Sequence, residues 1–160
     1  MNKSGFGDHT GNEKLNKKIN DFRARCRQAH LKVTPQRMAI YKVLVQSNEH
    51  PSAEMVYRQV KQDLPHISLD TVNRTLVTIN ELGMSFTLEG TGDAKRYDGI
   101  LDDHQHFKCL KCKKVIDLFD EPFSNIPTPA KLEKCAILRK TVYFEGICDS
   151  CKQKTNGNFI

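Results

Sequence analysis

Two Cys-x-x-Cys pairs, Cys109-Leu110-Lys111-Cys112 and Cys148-Asp149-Ser150-Cys151, constrain the fold of this chain more than any other feature. The two-residue spacer lets both sulfurs of a pair turn toward one ion, and four thiolates match the tetrahedral requirement of structural zinc. Because such a site has no open coordination position, we expect it to stabilise structure and not to catalyse a reaction. The alternative is a dithiol redox pair, although no thioredoxin-like context surrounds either pair. Cys26 and Cys135 are expected to be small buried hydrophobic residues.

A second group of metal-ligand residues precedes the first cysteine pair. His104 and His106 stand at i and i+2, so on a short strand both imidazoles would face the same side. Four aspartates lie near them in the sequence, and His50 stands at the predicted start of a helix; the aspartates are Asp98, Asp102, Asp103 and Asp117. The spacing alone is equally compatible with ordinary surface histidines. A metalloenzyme is disfavoured because neither His-Glu-x-x-His nor His-x-Glu occurs, so no general base stands beside the ion, and we expect no enzyme.

The composition bounds the size and the location of the protein. The 160 residues are 38% hydrophobic, enough for one domain or two small ones. No apolar run approaches the roughly 20 residues of a membrane span. The start, Met1-Asn2-Lys3-Ser4-Gly5, is polar and lacks the apolar stretch of a secretory signal. We therefore expect a cytoplasmic protein with no membrane partner, in which the cysteines stay reduced.

Positive charge is concentrated near the start of the chain. The net charge is +6, and from Lys14 to Lys42 nine Lys and Arg residues stand against one acid, Asp21. Such a block often contacts a polyanion, but a solvated helix face has the same composition. The charge by itself does not decide between them.

Hydrophobic spacing and capping residues predict four helices followed by a hairpin. The predicted helices run from Leu15 to Ala29, from Pro35 to about Ser47, from Pro51 to Pro65 and from Ser68 to Gly83. Thr34 and Ser68 suit N-cap positions, and Pro51-Ser52 opens the third predicted helix. Strands near 85–89 and 95–98 flank the turn Gly90-Thr91-Gly92-Asp93. This order of elements is typical of a helix-turn-helix with a wing.

The last of these helices is the candidate DNA-recognition helix. With Val72, Leu76 and Ile79 buried, Asn73 and Arg74 point outward, where Arg74 suits guanine or phosphate and Asn73 suits adenine. An ordinary surface helix is the competing interpretation, and the wing and the basic block make it less favourable. The residues predicted to bind DNA are Arg37, Ser68, Asp70, Thr71, Asn73 and Arg74.

The remaining third of the chain predicts a small mixed domain. Short strands are expected at 107–109 and 115–119, a short helix at 129–135, and strands at 136–138 and 141–144. A segment of this size needs a metal, a partner subunit or both to be stable. We therefore divide the chain into a disordered N-terminus (1–13), a winged-helix domain (14–98), a hinge (99–103) and a small C-terminal domain (104–160).

From Leu31 to about Lys152 the sequence resembles the ferric uptake regulator (Fur) family, most closely its peroxide-responsive (PerR) branch. The motifs that carry the resemblance are Val33-Thr34-Pro35-Gln36-Arg37, His50-Pro51-Ser52-Ala53, Ser68-Leu69-Asp70-Thr71-Val72, Gly83, Arg96-Tyr97-Asp98, His104-Gln105-His106, both Cys-x-x-Cys pairs and Val115-Ile116-Asp117. The resemblance implies an α+β fold, with an N-terminal winged helix-turn-helix domain and a small C-terminal α/β dimerisation domain that contains a structural zinc knuckle.

The resemblance also implies the ligands and the partners. Structural Zn2+ would be held by Cys109, Cys112, Cys148 and Cys151. A regulatory Fe2+ or Mn2+ would be held by His50, Asp98, His104, His106 and Asp117, which would tie the two domains together. The protein would be a homodimeric repressor of a palindromic operator in double-stranded DNA. In the peroxide-sensing branch, His50 and His104 would be oxidised; an iron- or zinc-responsive uptake repressor of the same fold is the alternative.

Several positions depart from the family pattern. Asn73 stands where the recognition helix usually has tyrosine, which leaves the operator preference open. Lys140 replaces a histidine that holds a further metal in many members, and Gln105 replaces an acid, so we expect that further site to be absent. Asp117 resembles the peroxide sensors, because many iron sensors have glutamate there. The longer basic N-terminus is expected to add phosphate contacts.

Overall fold

The computed structural model describes residues 9–88, 94–119, 126–137 and 139–154. The chain divides into two compact units, Met1–Leu101 and Asp102–Ile160. No helix in the described ranges is both long enough and apolar enough to cross a membrane.

Four helices build the described part of the first unit: α1 (His9–Gln28), α2 (Pro35–Gln46), α3 (Ala53–Asp63) and α4 (Leu69–Glu81). The two predicted N-caps, Thr34 and Ser68, are confirmed, and Ser52 caps α3. The side-chain oxygen of Thr34 accepts a hydrogen bond from the Arg37 amide, that of Ser52 from Met55, and that of Ser68 from Thr71. Each cap satisfies a backbone N–H that the first turn of a helix leaves without an intrahelical acceptor.

Helix α1 begins earlier than predicted. The apolar stripe of Ile19, Phe22 and Cys26 is buried as expected, and the Phe22 ring stacks on Tyr41 at 4.2 Å between centroids. However, the helix starts at His9, so residues 9–13, which we expected to be disordered, belong to it. Adding a turn to an anchored helix costs far less than nucleating one, and no proline interrupts this stretch. Residues 1–8 lie outside the described residues.

The core of the first unit lies where the four helices meet. The side chains predicted to face inward on α4, Val72, Leu76 and Ile79, are fully buried. They pack with α1, α2 and α3 through Phe22, Cys26, Ile40, Tyr41, Leu44, Val56 and Val60. Helix α4 ends before Gly83, whose φ of +66° favours glycine.

A hairpin follows α4, as predicted. Strands β1 (Phe86–Leu88) and β2 (Arg96–Asp98) pair antiparallel, with Phe86 opposite Asp98. The predicted turn at 90–93 lies outside the described residues. The Tyr97 amide donates to the Pro51 carbonyl at 3.0 Å, which ties β2 to the start of α3. The winged-helix prediction is therefore confirmed.

The second unit contains a three-stranded sheet of order β4-β3-β5. Strand β3 (Gln105–Cys109) pairs antiparallel with β4 (Val115–Leu118) and parallel with β5 (Tyr143–Gly146), and α5 (Asp149–Gln153) follows. Together the two units confirm the predicted α+β class.

Four predictions for this unit were wrong. The helix expected at 129–135 is a single 3-10 turn, Ala130–Leu132. Ala136 and Ile137 belong to no strand, residue 138 lies outside the described residues, and the last strand begins at Tyr143 and not at Thr141. Cys135 is exposed and not buried. A residue with high strand propensity forms a strand only where a neighbour supplies packing and hydrogen bonds.

Candidate metal centres and nucleic-acid interface

The four cysteines of the Cys-x-x-Cys pairs meet in the second unit. Cys109 ends β3, Cys112 lies in the turn toward β4, and Cys148 and Cys151 stand at the start of α5 and within it. The parallel pairing of β3 with β5 places Cys109 beside Gly146, so both strands lead into the same cluster. Lys113 takes a φ of +61°, which allows the tight turn after Cys112.

The geometry of this cluster fits zinc. The four sulfurs lie within 4.8 Å of one another, and Cys112 Sγ is 3.7 Å from Cys148 Sγ. Zn–S bonds of about 2.3 Å in a tetrahedron place sulfurs about 3.8 Å apart, whereas a disulfide needs about 2.05 Å. All six cysteines of the chain lie among the described residues, and none is in a disulfide. The donor set is that of a structural zinc knuckle.

Backbone amides prepare one of the thiols for metal binding. Burial raises the pKa of Cys109, but the N–H groups of Cys148 and Cys112, at 3.4 and 3.5 Å from its Sγ, outweigh burial and bring the pKa down to about 6. Burial and the neighbouring thiols instead raise the pKa of Cys151 to about 12. Four adjacent thiolates repel one another, and only a cation at their centre offsets this repulsion.

Two histidines and an aspartate form a second group within the same unit. His104 directly precedes β3 and His106 lies in it, so both rings project to one face. The β3–β4 register sets Asp117 opposite His106. Asp117 Oδ1 lies 3.7 Å from His104 Nε2 and 3.6 Å from His106 Nε2, and both histidines are buried.

The two rings are held in place by their surroundings. The carbonyl of Asp102 accepts a hydrogen bond from His104 Nδ1 at 2.7 Å, which directs Nε2 toward Asp117. The His106 ring stacks on Tyr143, and the His104 ring stacks on Phe119. Sequence reasoning missed the role of Asp102, because a backbone carbonyl acts regardless of the side chain that bears it. Imidazole and carboxylate donors in this arrangement suit Fe2+, Mn2+ or Zn2+.

The first unit contains a further pair of possible metal ligands, a histidine and an aspartate. His50 Nε2 lies 3.9 Å from Asp98 Oδ1, and both residues are buried. His50 has a φ of +48°, and Arg96 Nη1 donates to its carbonyl at 3.3 Å. The Ile100 amide donates to Asp98 Oδ1 at 2.8 Å. The structure thus brings His104, His106 and Asp117 together in one unit, and His50 and Asp98 in the other.

The predicted DNA-binding residues lie on α4 and at the start of α2. Asp70 and Arg74 are exposed and form an ion pair at 3.7 Å, and Asn73 is exposed beside them. An open groove of about 480 Å3 is lined by both helices; its lining includes Lys32, Arg37, Thr71 and Arg74. The Ser68 hydroxyl accepts from the Thr71 amide, as its predicted N-cap position requires, and it also forms a hydrogen bond with the Thr71 hydroxyl at 2.9 Å.

Known proteins share both the sequence pattern and the fold. The model of the ferric uptake regulator family matches residues 28–143. A peroxide-responsive repressor, PerR, from Staphylococcus aureus is 27% identical over 143 residues, which cover 89% of this chain and 97% of the relative.

Two solved structures extend the comparison. A ferric uptake regulator from Helicobacter pylori with three functional metal binding sites superimposes with a TM-score of 0.72 at 23% identity, covering 86% of this chain and 93% of the other. A peroxide stress regulator from Campylobacter jejuni superimposes with a TM-score of 0.59 at 26% identity, covering 83% and 98%. The similarity in fold therefore extends over most of the described chain.

Proposed function

The chain belongs to the ferric uptake regulator family of metal-responsive repressors, and from that premise we propose that it represses transcription as a homodimer on a palindromic operator, in response to peroxide. The observation that carries the proposal is the group of His104, His106 and Asp117, in which the two buried histidines and the carboxylate direct three donor atoms toward one another beside the β3–β4 pair.

We assign two metal sites by the chemistry of their donors. Cys109, Cys112, Cys148 and Cys151 would hold structural Zn2+. His50, Asp98, His104, His106 and Asp117 would hold the regulatory Fe2+ or Mn2+, as the family resemblance implies. When bound, the regulatory cation supplies positive charge, and as Fe2+ also a reductant for peroxide. Because the ligands belong to both units, binding would favour conformations in which both sets reach one ion, and that preference would couple metal to DNA affinity.

The residues around the regulatory site would do two jobs. The Asp102 carbonyl fixes the tautomer and direction of His104, and Arg96 holds the backbone of His50. The contact with Asp102 leaves Nε2 of His104 as the metal-binding atom. We propose that His50 and His104 are the side chains that peroxide oxidises. Aspartate at position 117 and the similarity to the Staphylococcus aureus repressor support this assignment.

The decisive experiment maps oxidation by mass spectrometry. The Fe2+-loaded protein is treated with mild peroxide and digested, and operator binding is measured in parallel. We expect added oxygen on the peptides that contain His50 or His104 and a loss of DNA binding. His30 and His66 lie outside the site and serve as internal controls. Unmodified site histidines with retained DNA binding would exclude peroxide sensing and favour the iron- or zinc-responsive repressor of the same fold.

A matched pair of variants tests the ligand assignment. His50→Ala should abolish metal-dependent DNA binding while the zinc content and the circular dichroism spectrum stay unchanged. His66→Ala, which changes an exposed histidine in the same unit, should bind DNA normally. If His50→Ala binds DNA in the presence of metal as the native chain does, His50 is not a regulatory ligand.

A further inference from the structure

The exposed face of α4 contains an asparagine whose side chain is oriented by its own helix. Asn73 Nδ2 donates to the Leu69 carbonyl at 3.1 Å, one turn earlier. A carboxamide has two N–H groups and one carbonyl oxygen. The bond to Leu69 uses one N–H and leaves the other N–H and Oδ1, because Asn73 forms no further side-chain hydrogen bond within the described part of the chain.

Helix stability does not explain this residue. Asn73 is exposed and packs against no part of the core. Asparagine is a poorer helix former than alanine, partly because its side chain competes for backbone groups. The hydrogen bond to the Leu69 carbonyl restricts the rotation of the Asn73 side chain before any ligand binds. Binding therefore costs less side-chain entropy.

The surroundings of Asn73 suit the uncharged edge of a base pair. Leu69 and Val77, one turn before and one turn after it, are 36% and 47% exposed, so apolar side chains flank the amide in one row. Asn73 and Leu69 also line a shallow pocket between α4 and β2, with a volume of about 220 Å3. Lys95 and Glu54 line it too, and because their charges offset, the surface has no net attraction for a phosphate.

We propose that Asn73 is a specificity-determining residue that reads adenine in the major groove of the operator, with Leu69 and Val77 against neighbouring thymine methyl groups. The inference rests on the proposed function. Adenine presents the N7 acceptor beside the N6 donor, which complements one N–H and Oδ1 of a carboxamide. Guanine presents two acceptors, cytosine presents a donor, and thymine presents an acceptor and a methyl group. Only adenine satisfies both atoms of Asn73.

Selection from a randomised duplex library tests the proposal without a known operator. The full-length protein is loaded with Mn2+, and the selected motifs of the native chain, Asn73→Ala and Asn73→Asp are compared. Glu81→Gln changes an exposed residue of the same helix and should reproduce the native motif.

The expected outcomes differ between the variants. The native chain should require adenine at one position of each half-site, with other bases binding about 5- to 150-fold more weakly. Asn73→Ala should lose that discrimination and nothing else, and it should not unfold because alanine favours the helix. Asn73→Asp keeps the acceptor and loses the donor, so its preference should shift toward cytosine, whose N4 donates.

The experiment distinguishes a failure of the proposed role of Asn73 from a failure of the proposed function. A native motif that Asn73→Ala retains, adenine included, would overturn the role of Asn73 and leave the proposed function intact. A library from which the Mn2+-loaded native chain enriches nothing would overturn the proposed function, and the inference with it.

Discussion

At the scale of single residues, one hydroxyl determines where the recognition helix begins. The sequence placed Ser68 both at an N-cap and among the predicted DNA contacts. In the structure its Oγ accepts from the Thr71 amide at 3.1 Å. A hydroxyl used in this way stabilises the first turn of α4 and so sets the direction of every side chain that follows.

Removing this cap should destabilise the protein. We expect Ser68→Ala to lower the free energy of unfolding by about 1 kcal/mol, because the Thr71 N–H loses its acceptor. Ser68→Asp should retain most of the stability, since aspartate caps equally well. Urea denaturation of both variants measures the difference. Equal stability of Ser68→Ala and the native chain would show that water replaces the hydroxyl at no cost.

At the scale of elements, a stacked aromatic pair lies at the centre of the buried stripe that fixes α1 to the other helices of the first unit. Phe22 is fully buried, and its ring lies nearly parallel to that of Tyr41. The polar residues of α1 face outward, including the basic residues Lys14, Lys17, Arg23, Arg25 and Arg27. Because Phe22 holds α1 against the core, its packing also fixes the position of the basic residues on the exposed face of α1.

Truncating the aromatic ring should have a large effect. We expect Phe22→Ala to cost about 3–5 kcal/mol, since it removes a fully buried ring and leaves a cavity. Lys17→Ala, on the exposed face of the same helix, should change stability by no more than about 0.5 kcal/mol. Thermal unfolding followed by circular dichroism distinguishes the two. A small loss for Phe22→Ala would mean that α1 contributes little to the core.

The elements also show what the sequence could predict. Caps, helix faces and the hairpin were predictable because their signals lie within a few residues of one another. The pairing of Asp117 with the histidines followed only from the family resemblance, because it depends on the β3–β4 register, which spacing along the chain does not reveal. The region near Ala136 and Ile137 failed for the same reason, since strand propensity there has no neighbouring strand to pair with among the described residues. The thiolate cluster was predictable because the chemistry of zinc restricts its ligands so strongly.

At the scale of the whole molecule, the two units are stabilised in different ways. The first has a continuous apolar core contributed by four helices. In the second, the buried residues of the sheet are largely polar: His104, Gln105, His106 and Lys108 are buried beside few apolar side chains. A unit of this kind depends on its metal for stability.

Loss of the thiolate site should therefore affect one unit only. We expect the native chain to retain about one zinc after treatment with a chelator. Cys112→Ser should lose it, with increased hydrogen exchange of the amides in β3, β4 and β5 but not in α2–α4. Cys135→Ser, an exposed cysteine outside the cluster, should retain zinc. Zinc retained by Cys112→Ser, or lost by Cys135→Ser, would contradict the assignment.

The distribution of charge makes a prediction for the DNA complex. Releasing counterions from DNA should make affinity fall steeply with salt, and Arg74→Ala should reduce the slope of log affinity against log salt by about 1 if Arg74 contacts a phosphate. Lys134→Ala, near the 3-10 turn of the second unit, should leave the slope unchanged. Fluorescence anisotropy over a salt series measures both. An unchanged slope for Arg74→Ala with relaxed base preference would assign Arg74 to a base instead.

The parallel pairing of β3 with β5 also has a consequence for the order of events on the ribosome. The helices of the first unit make mostly local contacts and can form while the rest of the chain is still being synthesised. The zinc cluster joins Cys109 and Cys112 to Cys148 and Cys151, so it stays incomplete until the second pair has left the exit tunnel. A nascent chain would thus have a folded first unit before its cysteine cluster is complete. During that interval it also lacks a finished second unit, so under the proposed function no metal could yet regulate contact between the first unit and DNA.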